Sequence, residues 1–190
     1  MRIVFGIDNV LNKLEEHVYK LAGIDEKKYY KKEKYMVEEC NHLTEREKKK
    51  ILSLYSDENT YLTCPAQKGI DRIGRLTNIP NINIYIHSYC ANMQAILGKM
   101  KWVGERIDIE EIQFIMEIGK KTPFEVDVAV ESNLEYLIAC KAKTKILIDK
   151  PYNKEENYGV NSKEHGIIRV GSTDEAIKFI EELVAEWTTK

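Results

Sequence analysis

The fold is decided near the start of the chain, by the stretch Arg2-Ile3-Val4-Phe5-Gly6-Ile7-Asp8-Asn9-Val10-Leu11-Asn12. An apolar run follows Arg2 and stops at Gly6, and the carboxylate of Asp8 comes two positions later. This pattern is typical of a buried strand whose carboxyl end opens into a loop. Ligands of open α/β sheets bind just outside those carboxyl ends. The stretch therefore predicts a strand over residues 2–7 and a functional site at its tip.

The composition indicates one globular unit. With 190 residues, the chain is long enough for one domain, or for one domain with a sizeable insert. Apolar residues make up 43% and charged residues 32%, which is typical of a soluble globular protein. The net charge of −2 provides no overall positive charge for nucleic acid or an acidic membrane surface. No apolar run is long enough for a membrane span, so neither nucleic acid nor membrane is expected as a partner.

The cysteines and histidines are spread too widely to indicate a metal centre. The four cysteines form no CxxC pair, which predicts reduced, mostly buried thiols. His17, His42 and His165 are scattered along the chain. Reduced thiols, with no signal-peptide pattern ahead of the first strand, predict a cytoplasmic protein.

A charged helical segment follows the first strand. Apolar residues recur at helical spacing over residues 14–21. Basic runs over residues 24–60 could form a nucleic-acid patch, but glutamates interleave with them, which favours a solvated helix face. Thr44 and Glu47 form a capping-box pattern, which predicts a helix over residues 45–55.

From residue 80 onward, strand patterns alternate with helix patterns. Strands are predicted at 82–87, 112–115, 126–130 and 145–149, and helices at 91–101, about 134–138 and 172–187. This alternation implies a parallel sheet covered on both faces. Right-handed crossovers then bring three polar strand ends to one edge of the sheet, namely Gly6-Ile7-Asp8, His87-Ser88 and Glu131-Ser132.

Four stretches in this order resemble the motifs of the haloacid dehalogenase (HAD) superfamily. Phe5-Gly6-Ile7-Asp8-Asn9-Val10-Leu11-Asn12 resembles the first motif, a hydrophobic strand followed by Asp-x-Asp-x-Val/Thr-Leu. Tyr85-Ile86-His87-Ser88 resembles the second motif, and Lys120-Lys121 stands where the lysine of the third is expected. Val128-Ala129-Val130-Glu131-Ser132-Asn133 resembles the fourth, a strand that ends in a pair of acids. Together with Asp149-Lys150-Pro151-Tyr152-Asn153, the charged helical segment resembles the 5'(3')-deoxyribonucleotidase branch.

The resemblance implies an α/β fold, a HAD-like Rossmannoid three-layer parallel sheet with a helical C1 cap. Residues 1–12 and 78–190 would form the core domain. Residues 13–77 would form the cap, inserted after the first strand. The site would then lie in the cleft between the sheet edge and the cap.

The resemblance also implies roles for individual residues. In the family, the first Asp of the first motif attacks the phosphoryl group, and the second Asp is general acid and then base. The Ser/Thr and Lys hold phosphate oxygens. Mg²⁺ is bound by the nucleophile, the backbone carbonyl of the second Asp and an acid of the fourth motif. These roles fall on Asp8 as the catalytic residue and on Asn9, Ser88 and Lys121 as phosphate ligands, with Lys120 as the alternative to Lys121.

Two positions depart from the family pattern. The nucleophile position is Gly6, which has no side chain, and Ser132 replaces the usual direct metal ligand. Glu131 keeps an acid there as a weak metal ligand. Because Mg²⁺ requires near-octahedral oxygen ligation, its binding is expected to be weak or absent. These losses predict a 5'(3')-deoxyribonucleotidase homologue that has lost phosphatase activity and binds phosphate or a nucleotide.

Two other functions stay open. The chain could be an active Mg-dependent nucleotide phosphatase with altered chemistry, in which Asp8 or Glu131 activates water directly. It could also be a protein-interaction module with a vestigial cleft. Among the site residues, Asp8 could be a turn residue, Ser88 could cap the following helix, and Lys121 could be an exposed loop lysine.

The aromatic residues of the charged segment have two interpretations as well. Tyr29, Tyr30, Tyr35 and Met36 could face the cleft and stack on a nucleobase, or they could pack within the cap, which is the favoured reading. His87 points to the opposite side of its strand from Ser88. It is expected to be a packed histidine rather than an acid or base.

Overall fold

A six-stranded parallel sheet forms the centre of the molecule. The computed structural model describes residues 1–108, 112–119 and 121–189. Its strands are β1 (Arg2–Phe5), β2 (Asn83–Cys90), β3 (Ile112–Ile118), β4 (Glu125–Glu131), β5 (Lys141–Ile148) and β6 (Ile167–Val170). Their order is β3-β2-β1-β4-β5-β6, and every neighbouring pair is parallel. The predicted parallel sheet is therefore confirmed.

β1 lies inside the sheet because its apolar residues are covered on both faces. Ile3, Val4 and Phe5 are fully buried, as expected for a parallel strand between two layers. Ile3 and Phe5 belong to one hydrophobic core and Val4 to another. The chain order reverses between β1 and β4, and such a switch point opens a crevice at the carboxyl ends of the strands.

Eight α-helices pack around the sheet in the described part of the chain. They are α1 (Leu14–Leu21), α2 (Glu26–Tyr29), α3 (Glu45–Tyr55), α4 (Glu58–Leu62), α5 (Ile73–Thr77), α6 (Met93–Gly104), α7 (Leu134–Ala139) and α8 (Thr173–Thr188). The first five lie in residues 13–77, which we call the insert. Thr44 and Glu47 form the predicted capping box of α3, and Ser172 caps α8.

The insert packs directly on a helix that follows β2. α4 approaches α6 so closely that a Cβ atom on Gly98 would lie 2.7 Å from the backbone oxygen of Glu58. Trp102 of α6 is fully buried, and its ring N–H donates to the carbonyl of Cys64 at 2.7 Å. Residues of the insert and of the sheet share one hydrophobic core. The insert therefore packs against α6 and shares a hydrophobic core with the sheet.

β2 is longer than the sequence pattern predicts. It continues past His87 to Cys90 because it pairs with β3 along its length. The side chain of Asn92 then caps α6. The interpretation of Ser88 as a helix cap is therefore wrong, since Ser88 lies within the strand.

The sequence pattern gives no signal for β6. This edge strand has four residues and buries only Ile167 and Val170, so it lacks the three successive buried apolar residues found in β1 (Ile3 to Phe5) and in β4 (Val128 to Val130). No helix in residues 1–108, 112–119 or 121–189 is long and apolar enough to cross a membrane.

Candidate functional site

The polar residues predicted at three strand ends do meet at one edge of the sheet, although His87 and Ser88 lie within β2 and not at its end. Phe5 at the end of β1 is level with Ile86 of β2 and with Val130 of β4. Gly6, Ser88 of the longer β2, and Glu131 lie just beyond this level, and the site is defined by them and by the residues that contact or follow them. We call it the strand-tip site, and it consists of Gly6, Asp8, Ser88, Lys99, Lys121, Glu131 and Ser132.

The carboxylate of Glu131 fills the space that a side chain at position 6 would occupy. A Cβ atom built on Gly6 would lie 2.6 Å from Oε2 and 2.8 Å from Oε1 of Glu131. Glu131 is 4% exposed and forms an ion pair with Lys121. Burial raises the pKa of the Glu131 carboxyl, and the Lys121 ammonium acts in the opposite direction. The one acid kept in the fourth motif thus stands where the resemblance places the side chain of the nucleophile.

Lys99 is a site residue that the motifs do not reveal. It lies on α6 with its side chain only 1% exposed. Its ammonium donates to Asp8 Oδ2 at 2.5 Å and to Ser88 Oγ at 2.9 Å. A third bond goes to the carbonyl of Tyr89 at 2.5 Å, so every ammonium proton is used. One feature of the sequence could have indicated Lys99: it falls on the face of α6 that is otherwise apolar and buried. A lysine on such a face needs polar partners.

Ser132 links the fourth motif to the first through a hydrogen bond. Its hydroxyl donates to the backbone carbonyl of Asp8 at 3.0 Å. Asn153 is fully buried, and its side-chain amide donates to the carbonyls of Ser132 and Ile148 at 2.9 and 2.8 Å. The loop after β5 therefore fixes the position of Ser132, and Ser132 fixes the loop that carries Asp8.

These contacts leave a donor set that does not fit Mg²⁺. Gly6 offers no side-chain oxygen, and the carbonyl of Asp8 already accepts a hydrogen bond from Ser132. Glu131 is paired with Lys121. Since Mg²⁺ demands near-ideal octahedral oxygen ligation, the residues at the strand tips are a poor match for the ion that the resemblance implies.

The structure does not bring Asn9 into the site. Asn9 is 2% exposed, has a φ of 62°, and does not line the cavities at the strand tips. Its side-chain oxygen accepts from the backbone N–H of Glu15 at 2.9 Å. Asn9 therefore shapes the turn into α1, and its prediction as a phosphate ligand has no geometric support.

Ser88 and Lys121 do reach the site, but both already have protein partners. Ser88 accepts from Lys99 and donates to the carbonyl of Tyr89 at 3.1 Å. Lys121 pairs with Glu131. The alternative lysine, Lys120, lies outside the described residues.

His87 is a packed histidine, as expected. It is fully buried, and its ring contacts the Tyr136 hydroxyl at 3.0 Å and the Glu117 carboxylate at 2.6 Å. Burial, with the nearby Lys121 charge, lowers the pKa of His87 to about 4 against the opposing effect of Glu117. Glu117 also accepts from the backbone N–H of Thr122 at 2.7 Å. The His87–Glu117 pair therefore positions the loop that carries Lys121.

Two cavities adjoin the strand-tip site. The Lys99 cavity has a volume of about 190 Å³ and borders Asp8, whose Oδ1 atom is buried with no hydrogen-bond partner in the described part of the chain. The Lys121 cavity has a volume of about 490 Å³ and borders Lys121 and Glu131. Each cavity therefore has one of the two ion pairs of the site at its wall, Asp8–Lys99 in the first and Glu131–Lys121 in the second.

Part of the aromatic segment of the insert faces these cavities. Tyr35 and Met36 line both of them, together with Tyr89 of β2. Tyr29 is buried within the insert, and Tyr30 is 63% exposed. Tyr35 and Met36 therefore face the cleft, Tyr29 packs within the insert, and Tyr30 does neither; stacking on a nucleobase stays a prediction.

Two solved structures resemble this chain over nearly its whole length. One is beta-phosphoglucomutase from Clostridium difficile, with a TM-score of 0.50 and 16% identity, covering 100% of this chain and 99% of that chain. The other is a dehalogenase, with a TM-score of 0.53 and 14% identity, covering 94% and 96%. Comparisons with protein-family models and with curated protein sequences gave no match. The structural likeness confirms the HAD-like Rossmannoid fold that the motifs predict.

Within this HAD-like fold, the charged side chains of the strand-tip site neutralise one another in pairs. Asp8 is paired with Lys99, and Glu131 is paired with Lys121. The two carboxylates and two ammonium groups carry no net charge when all four are ionised. An incoming anion must therefore compete with a carboxylate for its lysine.

Proposed function

We propose that this protein binds a nucleotide or another phosphate-bearing small molecule between the insert and the strand tips, and that it does not hydrolyse it. The observation that carries this proposal is the place of the Glu131 carboxylate, 2.6 Å from a Cβ atom built on Gly6. A nucleophile at position 6 is absent, and the space for one is filled. The insert then acts as a cap over a binding site.

Asp8, to which the HAD resemblance assigns the role of proton donor, is also held in an ion pair. Asp8 would have to give a proton to the leaving group, yet its Oδ2 accepts a short hydrogen bond from Lys99. Protonating Asp8 would break that buried ion pair. Removing a single member of a coupled catalytic set commonly costs several powers of ten in rate, so we expect no measurable phosphatase activity.

The Lys121 cavity supports a binding role. Its volume of about 490 Å³ lies within the roughly 300–1,000 Å³ of small-molecule sites. Lys121 offers a cation for a phosphate group, while Tyr35 and Tyr89 offer ring faces for a base. A phosphate that takes Lys121 from Glu131 leaves a buried carboxyl without its cation, which favours the protonated acid. Binding is therefore expected to take up a proton and to tighten as the pH falls.

The proposal is tested by calorimetry and by phosphate release on the same preparations. Nucleoside monophosphates and inorganic phosphate are titrated with and without Mg²⁺, and phosphate release is followed with Asp8→Ala as the blank. We expect saturable binding and no release above the blank. Absence of binding across the panel would contradict the binding role. Release that disappears in Asp8→Ala would show a phosphatase with altered chemistry.

A further inference from the structure

A second group of ligating side chains lies in the insert, away from the strand tips. Glu33, Cys40 and His42 each offer one ligand atom, and these atoms all lie within 4.8 Å of one another. The three residues come from the segment between α2 and α3, whose regular structure is a single 3-10 turn over Val37–Glu39. Their sequence spacing matches no familiar metal motif, so only the folded segment brings them together.

The donor types are those that zinc prefers. A thiolate, an imidazole and a carboxylate are its usual protein ligands, and their bonds of about 2.0–2.3 Å place tetrahedral ligand atoms roughly 3.3–3.8 Å apart. His42 Nδ1 and Glu33 Oε2 are 2.9 Å apart. To reach the spacing of tetrahedral zinc ligands, these two atoms would move apart by less than about one ångström. Three protein ligands leave a fourth position for water.

The surroundings already orient the ligands. The Tyr19 hydroxyl lies 3.3 Å from His42 Nε2, which leaves Nδ1 facing Glu33, and an oxygen partner on the second ring nitrogen is the usual support of a metal-bound histidine. The backbone N–H of Asn41 donates to Glu33 Oε1 at 3.0 Å, leaving Oε2 for a metal. Cys40 is fully buried beside this pair.

We propose that Glu33, Cys40 and His42 bind one Zn²⁺ ion, which cross-links the residues on either side of Tyr35 and Met36 at the wall of the two cavities. Binding replaces the Glu33–His42 hydrogen bond. The proton of His42 Nδ1 moves to Nε2, which then donates to the Tyr19 hydroxyl oxygen, and the thiol proton of Cys40 is released to solvent. The proposal does not depend on the proposed function, because all three ligands belong to the insert.

The test is metal titration of the full chain after treatment with a chelator. Co²⁺ is titrated first, because its absorption reports sulfur ligation directly, and Zn²⁺ is then added as a competitor. We expect one equivalent of Co²⁺ with sulfur-to-metal charge transfer, displaced by Zn²⁺, and a thermal midpoint that rises with Zn²⁺. Absence of saturable binding, or a signal without sulfur ligation, would overturn the proposal.

Matched variants assign the site. Cys40→Ser and His42→Gln should each weaken binding by at least about tenfold, the lower end of what altered surroundings of a metal cost. Cys64→Ser, at another buried free cysteine, and His165→Gln, at an exposed histidine, should leave it unchanged. Circular dichroism of the metal-free variants checks their folding. If Cys40→Ser does not fold, Glu33→Gln at a partly exposed position replaces it. Unchanged metal binding in Cys40→Ser and His42→Gln, or loss of metal binding in Cys64→Ser, would contradict the assignment.

Discussion

At the scale of single residues, the site is organised by Gly6 and by the carboxylate that covers it. We expect Gly6→Ala to lower the free energy of unfolding by about 1–3 kcal/mol, the usual cost of overpacking. The added methyl group would meet the Glu131 carboxylate, which cannot withdraw without weakening its pair with Lys121. Chemical denaturation measures the change.

A double-mutant cycle separates this contact from other effects of the alanine. In a Glu131→Ala background the space beside Gly6 is empty, so the same substitution should cost much less, with a coupling energy of about 0.5–3 kcal/mol for residues in contact. Additive costs would mean that Glu131 does not limit position 6.

Lys99 gives the second prediction at this scale. Lys99→Met should destabilise the protein by about 3–5 kcal/mol, because it leaves a carboxylate at the strand tips without its buried partner. Lys101→Met on the same helix is the matched control, since Lys101 is 57% exposed in its pair with Glu58 and such pairs contribute about 0–1 kcal/mol. Similar denaturation midpoints for the two variants would argue against a buried Lys99–Asp8 pair.

At the scale of elements, His87 ties β2 to β3 and α7 through Glu117 and Tyr136. Its pKa falls from 6.5 to about 4 on folding, so between these values the unfolded chain binds a proton that the folded one does not. The free energy of unfolding should therefore fall as the pH drops below 6.5, by up to about 3 kcal/mol in total. The contribution of this group fades about one pH unit above 6.5, where the unfolded histidine has also lost its proton.

The prediction is checked by denaturation between pH 6.5 and pH 5, as the difference in slope between the native protein and its variants. His87→Gln should flatten the slope by an amount that approaches 1.4 kcal/mol per pH unit. His165→Gln, at an exposed position, should not flatten it. An unchanged slope in His87→Gln would show that His87 takes up its proton without opening the structure.

The strands differ in how well the sequence alone predicts them. The strands that carry the site were predictable because parallel strands buried on both faces contain successive apolar residues, as in Val128 to Val130. The extension of β2 to Cys90 depends on pairing with β3, which a single-strand pattern does not report. β6 is an edge strand with only two buried residues, and its placement depends on β5.

At the scale of the whole molecule, the sequence predicted which strand ends meet, but not how their charges pair. Gly6 and Ser132 could be identified from the motifs alone. The positions of Glu131 and Lys99 could not, because each depends on packing between elements that are far apart in the chain. The Glu33–Cys40–His42 group needed the folded insert for the same reason.

The central claim is that Glu131 occupies the place of the nucleophile and holds the lysine that an anion needs. It is tested most directly by the affinity of the folded protein for inorganic phosphate, measured by calorimetry at one pH. Glu131→Gln keeps the size of the side chain and removes its charge. Glu135→Gln is the control, because it removes the same charge from an exposed position on the same cavity.

We expect Glu131→Gln to bind phosphate about tenfold more tightly than the native protein, since a hydrogen bond to a charged group contributes about 1.5–3 kcal/mol and Lys121 would no longer be held by a carboxylate. Glu135→Gln should change the affinity far less, because an exposed charge is screened. An affinity in Glu131→Gln equal to or weaker than that of the native protein would contradict the account.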